Sequence, residues 1–244
     1  MKKIDDHRYW VRRHRETKGL IGVGQHKYSE IYNFYMYKIV MEVYDKLLEE
    51  LDLKNKNLRV LDAGCGIGTF TKFLKDENFS VVGADISEDA TELVKKNIEN
   101  VKVICSPLYR LNLPKNDFDI VHCFDVLYHI LDDEEWGKTL EKFSQLSRKY
   151  IILHESFSNN LPPYTLPHVK FRKYSYLRDK LESLGFKEIR SKPTHILGNR
   201  LYLSIITKFF PRTVYRVDRF LIFRLNKKLF SNHFIKVFEK RSAK

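Results

Sequence analysis

Along this chain the spacing of apolar residues switches repeatedly between two periods, and the switches mark its elements. Residues 4–18 read as a helix rich in arginine and aromatic residues, broken by glycines from Gly19 to Gly24. Ser29 has N-cap chemistry for a long helix reaching Leu51, with Ile31, Phe34, Tyr35, Ile39, Val43 and Leu47 near one face. Short apolar runs then alternate with helical ones. Strands are predicted at Leu58–Leu61, Val81–Ala84, Val101–Cys105, Phe118–Phe124, Tyr150–Leu153 and from Phe186 to Ile189. Between them the helical period returns from Thr69 to Lys75, after Ser87 to Ile98, from an Asp132 cap to Leu146, and from Tyr174 to Leu184. Gly185 stands there at the stop position. Such alternation predicts an α/β fold with a parallel, doubly wound sheet.

The end of the chain is less regular. A last strand is read from His233 to Glu239, and the span before it is far longer than a hairpin needs. That span is predicted to hold two helices, Tyr202–Phe210 and Thr213–Lys228, separated by Pro211. In the second, Arg212, Arg216, Arg219 and Lys227 alternate with Val214, Val217, Phe220, Leu221 and Phe223. The chain therefore divides into an N-terminal helical cap (1–55), a core (56–192) and a basic helical insertion with the final strand (193–244), the last belonging to the core's own domain.

Candidate chemistry concentrates where the first strand ends. Val60-Leu61-Asp62-Ala63-Gly64-Cys65-Gly66-Ile67-Gly68 carries three glycines at alternate positions before a helix. Glycines permit a sharp turn and close approach of backbone to a ligand, and the helix start offers free N–H groups. The spacing is Gly-x-Gly-x-Gly rather than that of a dinucleotide loop, and the Asp62 carboxylate would repel a pyrophosphate. It suits the ammonium and sulfonium of S-adenosylmethionine. A second strand ends in Gly83-Ala84-Asp85-Ile86-Ser87, where an acid is placed to grip a ribose diol and Ile86 to pack on adenine.

With both acids in frame, VLDAGCGIGTFT followed by VVGADIS resembles the class I S-adenosylmethionine-dependent methyltransferases of the small-molecule type, over roughly Leu58 to Ser156. The resemblance implies a Rossmann-like sheet of seven strands, the last antiparallel beside the fifth. It implies S-adenosyl-L-methionine held by Asp62, Gly64, Cys65, Gly66, Gly68, Asp85 and Ile86, with Asp125 and Val126 adding contacts after the fourth strand. The family often places an acid past the third strand to meet the adenine amine. Here Cys105-Ser106-Pro107 has none, so Ser106 or a backbone carbonyl is expected to serve.

The acceptor side is expected around Asp125-Val126-Leu127-Tyr128-His129, similar to the stretch that lines the transfer site in this family. A hydroxyl acceptor must lose a proton as it attacks. His129 is the first candidate base, because a free imidazole titrates near pH ~6.5. His154 and Glu155, ending the fifth strand, are the reserve. Tyr9, Trp10 and Arg13, with Gln25, His26 and Tyr28 beyond the glycine break, combine aromatic faces with cations, as a sugar or phosphate-bearing substrate would need. The cap is loosely similar to those of glycan-modifying methyltransferases. Tyr128, His168 and the Pro162-Pro163-Tyr164 loop join them as expected substrate contacts.

Absences narrow the acceptor. No Asn/Asp-Pro-Pro-Tyr/Phe tetrapeptide, Pro-Cys pair, catechol-type metal set or separate RNA-binding module is present, so base methylation is disfavoured and no metal is implied. An O- or N-methyl transfer to a small molecule, with a saccharide or lipid-linked glycan in view, is the expectation.

Charge changes the picture in one respect. Of the formal +13 over 244 residues, residues 193–244 hold twelve Lys/Arg against two Asp/Glu, while 31–192 hold 24 against 25. A basic tail on a neutral core points to an anionic partner, a membrane surface or phosphorylated lipid carrier met through residues 200–228. RNA methylation is the alternative, and a non-catalytic cofactor-binding scaffold at a membrane a further one. The charged start lacks a signal-peptide core, there is no run of roughly 18 apolar residues, and Cys65, Cys105 and Cys123 read as reduced thiols. A cytoplasmic protein, peripheral on the membrane if the tail binds, is expected.

Overall fold

Val60 and Leu61 are neighbours on one strand, and they enter different cores on opposite faces of one sheet. That alternation organises the molecule. The computed structural model describes residues 6–17, 19–24, 28–160, 166–197, 204–224, 231 and 233–241. Gln25, His26, the Pro162-Pro163-Tyr164 loop, Tyr202 and Lys227 lie outside the described residues.

Three helices precede the sheet: α1 (Asp6–Glu16), α2 (Leu20–Val23) and α3 (Glu30–Glu50). Then follow β1 (Arg59–Ala63), α4 (Thr69–Asp76), β2 (Ser80–Asp85), α5 (Glu88–Asn97), β3 (Lys102–Cys105), β4 (Phe118–Phe124), α6 (Asp133–Leu146) and β5 (Ser147–Ser156). The rest is α7 (Tyr174–Ser183), β6 (Phe186–His195), α8 (Ser204–Phe209), α9 (Pro211–Phe223) and β7 (His233–Lys240). The strand order is β3-β2-β1-β4-β5-β7-β6. β1 to β5 are parallel to one another, and β7 runs antiparallel between β5 and β6. This is the seven-stranded Rossmann-like sheet expected.

Caps set the helix starts as the sequence indicated. Ser29 accepts from the Tyr32 N–H, Ser87 from Ala90, and Asp132 from Glu134 and Glu135. Pro211 opens α9 instead of merely separating two helices, since proline at a first helical position forfeits no intrahelical hydrogen bond. From its predicted start at Phe186, β6 continues through Pro193, a residue tolerated because this is an edge strand with a register shift at that point.

One core lies between the sheet and α3, α4 and α9, built from Ile39, Tyr44, Leu47, Leu74, Ile120 and Ile222 among others. The other packs α6 and α7 through Trp136, Leu140, Phe143 and Leu181. Two expected core positions on α3 are corrected. Ile31 and Phe34 are exposed, while Tyr32, Val40 and Tyr44 turn inward. Ile39, Val43 and Leu47 of the predicted face are buried, so the mismatch is confined to the first turns of the helix. On α9, likewise, Val214 and Ile222 are buried but Val217 and Phe220 are not.

Candidate functional site

The carboxyl ends of β1, β2 and β4 leave a cleft of ≈ 1000 Å³, counting its open mouth. Doubly wound sheets bind ligands here because strand order reverses and neighbouring loops splay apart. Its floor is the glycine loop. Gly64 has φ +82, and a Cβ there would collide with Val126. Gly68, at φ +87, caps α4, and a Cβ would come within 2.8 Å of Ile98 Cδ1. Both positions need glycine.

Asp85 pins this loop. Its Oδ2 accepts from the Gly66 N–H at 2.9 Å and its Oδ1 from the Ser87 N–H at 2.9 Å. Each oxygen keeps further lone pairs for a ligand. Burial raises the carboxyl pKa, opposed by the Ser87 N–H, His14 and the Gly66 N–H. Gly64, Cys65, Gly66, Asp85, Ile86, Asp125 and Val126 all line the cleft.

Asp62 does not line it, which corrects the direct contact expected of this residue. Thr71 donates to its Oδ2 at 2.5 Å and the His122 ring meets its Oδ1 at 2.7 Å. Register explains this, for β1 aligns Asp62 with His122 on β4, and the side chain turns beneath the loop. Gly68 and Ser106 also stand back from the cleft wall. The Ser106 N–H bonds Asp85 O, and Pro107 and Leu108 form the wall in its place.

Beyond β4 the chain turns at Asp125, a non-glycine residue at φ +58. The Asp125 carboxylate meets His154 Nδ1 at 3.0 Å, and His154 Nε2 meets Thr194 Oγ1 at 2.9 Å. Burial pushes the Asp125 carboxyl up, but the adjacent His154 ring, with His233 and His195, holds it below the ordinary value. His154 itself is buried behind Asp125 and positions it. Glu155 lies behind as well. Its Oε1 accepts the Leu127 N–H at 2.6 Å, fastening the loop, and burial, with Asp125 nearby, raises its pKa to about 8. Tyr128 lines a smaller cavity with Glu155 and Arg172, a correction to its placement among the cleft's substrate contacts.

His129 does line the cleft. Its Nδ1 lies 2.8 Å from the His168 carbonyl, so Nδ1 donates and Nε2 carries the lone pair. Burial lowers its pKa to about 3, which corrects the expectation of a ring titrating near neutrality. Trp10 meets the His129 ring edge-on at 4.6 Å, and Tyr9 stacks on His168 at 4.6 Å.

α1 thus forms the roof. Arg13, expected to hold substrate, is used to fasten that roof. It donates to the Gly24 and Ile21 carbonyls and to Tyr9 Oη, and lies over Trp10. Tyr28 stacks on Tyr32 at 4.3 Å, away from the cleft, so its substrate assignment is corrected too. Sequence reasoning missed His14, Tyr37, Phe70, Tyr109 and Glu135, all of which line the cleft. His14 had a signal, being four residues from Trp10 on one helix face. Tyr109 and Glu135, joined by a 2.9 Å hydrogen bond across distant elements, had none.

Fold and site together bring a glycine loop and a strand-end acid to the cleft of a Rossmann-like sheet. Residues 60–149 match a family model described as a methyltransferase domain. A ubiquinone biosynthesis O-methyltransferase of Coxiella burnetii is 28% identical over 177 residues, 64% of this chain and 75% of that protein. An uncharacterized protein of Methanocaldococcus jannaschii is 35% identical over 100 residues, 38% of this chain and 42% of its own. Magnesium protoporphyrin IX methyltransferase from Synechocystis PCC 6803, solved with bound SAM, shares the fold at a TM-score of 0.64 and 20% identity, covering 99% of this chain and 100% of that one. Residues 60–149 thus form a methyltransferase domain, and the chain as a whole shares the fold of the class I S-adenosylmethionine-dependent methyltransferases.

Proposed function

We propose that this enzyme methylates a hydroxyl oxygen of a small, ring-bearing acceptor, with saccharides and lipid-linked glycans as the class to test first. The carrying observation is His129, a neutral imidazole on the cleft wall whose Nδ1 is committed to the His168 carbonyl. Its Nε2 can then accept an acceptor's O–H and receive the proton as attack proceeds. Burial lowers the pKa and so keeps the ring neutral with that lone pair free. Asp125, braced by His154, supplies negative charge that favours the imidazolium as it forms.

The cofactor fits the residues present, with cleft-lining glycines for close approach, lone pairs on Asp85 for a diol and Ile86 for an adenine face. When bound it supplies an electrophilic methyl group, and most of the rate then comes from alignment. Trp10, Tyr37, Phe124 and Ile130 offer flat apolar surfaces to a ring. Oxygen is favoured over nitrogen by the likeness to the O-methyltransferase above. Mass spectrometry on reactions with sugars, glycolipids, phenols and amines tests the reading. Methyl ethers would support it, and methylation of amines alone would overturn it.

A membrane is the second element proposed. Phe209, Phe210 and Phe220 are 67%, 61% and 56% exposed, interleaved with exposed Lys208, Arg212 and Arg216. That composition fits an anionic surface carrying a lipid-linked acceptor.

A further inference from the structure

His14 is 6% exposed, and neither of its ring nitrogens has a hydrogen-bond partner among the described residues. A buried imidazole without partners is costly, and native structures rarely tolerate one unless something absent completes it. The ring lies on the cleft wall with Asp85, whose charge is the strongest of those opposing the effect of burial on His14. Arg13 and Asp89 are the other charges acting on it. The His14 ring and the Asp85 carboxylate therefore border one cleft.

We propose that His14 is a cofactor ligand carried by the roof helix, donating a hydrogen bond to a ribose hydroxyl that itself donates to Asp85. The proposal rests on the methyltransferase assignment and deepens it. Each oxygen of Asp85 already accepts one backbone N–H and keeps lone pairs, so it takes hydroxyl protons. Those hydroxyl oxygens then need donors, and a ring N–H of neutral His14 is one. Both the orphan nitrogen and the diol are satisfied in a single arrangement.

The location of His14 gives this contact a consequence. α1 also carries Trp10, which lies 4.6 Å from the His129 ring, and Tyr9, which stacks on His168. Trp10 and His14 themselves touch at 5.5 Å between ring centroids. One helix face thus joins the cofactor's ribose to the wall that receives the acceptor.

Titration calorimetry with S-adenosylhomocysteine tests the contact, using wild type, His14→Phe and His14→Gln, with analogues lacking the 2′- or the 3′-hydroxyl as controls. His14→Phe keeps a ring of similar breadth without a nitrogen. We expect about tenfold weaker binding of S-adenosylhomocysteine, as the loss of one hydrogen bond implies. Its deficit should vanish for one of the two deoxy analogues, and His14→Gln should recover part of the affinity. Trp10 fluorescence gives a second readout: its response to S-adenosylhomocysteine should shift to about tenfold higher concentration in His14→Phe and disappear in Trp10→Phe. Wild-type affinity in both His14 variants, or an equal deficit with every analogue, overturns the proposal. Should His14→Phe prove unfolded by circular dichroism, the comparison rests on His14→Gln. A wild-type protein that ignores S-adenosylhomocysteine would instead sink the cofactor assignment.

Discussion

Nε2 of His122 lies 2.7 Å from Oδ1 of Asp62, and both side chains are buried beneath the glycine loop. The acid that the loop sequence presents as a ligand contact is thus a structural hinge-pin. It ties β1 to β4 through His122 and to α4 through Thr71. Replacing Asp62 by alanine would strand both partners in the core. A loss of about 3 kcal/mol is expected, in the range for removing one member of a buried pair. Urea unfolding checks this. Unchanged stability with lost cofactor affinity would restore Asp62 to direct ligand contact.

Strand positions, the glycine loop and Asp85 were all legible in the sequence, because each is encoded within a few consecutive residues. An apolar run, a glycine at positive φ and a strand-end acid are local signals. What stayed hidden depends on partners far away in sequence. The Asp62 carboxylate is turned inward by His122, sixty positions on, and Arg13 is consumed by backbone carbonyls of the next helix. His129 looked like a base titrating near neutrality until burial was known, and no pattern of neighbours announces desolvation. The exposed start of α3 has the same origin, since Ile31 and Phe34 lie beyond the part of the helix that meets the sheet.

The buried titrating groups predict a stability profile with two limbs. His129, His195 and His233 are lowered by burial from 6.5 to about 3, about 3 and about 4. Below pH 6.5 the unfolded chain binds protons that the folded one refuses, so stability falls as pH drops from 6.5 through 3. Glu155 acts in the opposite sense. Its pKa rises from 4.5 to about 8, so the folded state holds a proton that the unfolded state releases, and stability falls as pH rises from 4.5 to 8. A maximum near pH 6.5 is expected. Glu155→Gln keeps an acceptor for the Leu127 N–H and should flatten the alkaline limb relative to wild type, while leaving turnover largely intact. Thermal melts across pH 5 to 9 measure this, and parallel curves for the two proteins would refute it.

His129→Ala should lower turnover by roughly a hundredfold or more, the usual worth of a positioned proton acceptor, with S-adenosylhomocysteine affinity unchanged. The pH dependence is the sharper test. A ring lowered to about 3 stays neutral above pH 5, so the wild-type rate should show no limb near 6.5 from this residue. An inflection near 6.5 that disappears in the variant would mean that an occupied site restores an ordinary imidazole.

The exposed aromatic and basic residues of α8 and α9 allow a last prediction. Tyr35 and Tyr215 meet at 5.1 Å, which sets the start of α9 beside the first turns of α3, where Ile31 and Phe34 are also exposed. Two residues on, Tyr37 lines the cleft. Arg219 is held by Glu42 at 2.8 Å, whereas Lys208, Arg212 and Arg216 point outward among Phe209, Phe210 and Phe220. Apolar rings that enter a headgroup layer, flanked by cations that meet its charge, make binding depend on both features. Sedimentation with phosphatidylcholine vesicles, with and without phosphatidylglycerol, should recover the protein only in the anionic case. Phe209→Ser with Phe210→Ser, and separately Arg212→Gln with Arg216→Gln, should each weaken recovery by about tenfold without altering S-adenosylhomocysteine binding, because none of these side chains lines the cleft. Equal recovery on neutral and anionic vesicles would end the membrane reading. Tight RNA binding that falls steeply with salt would replace it with a nucleic-acid partner.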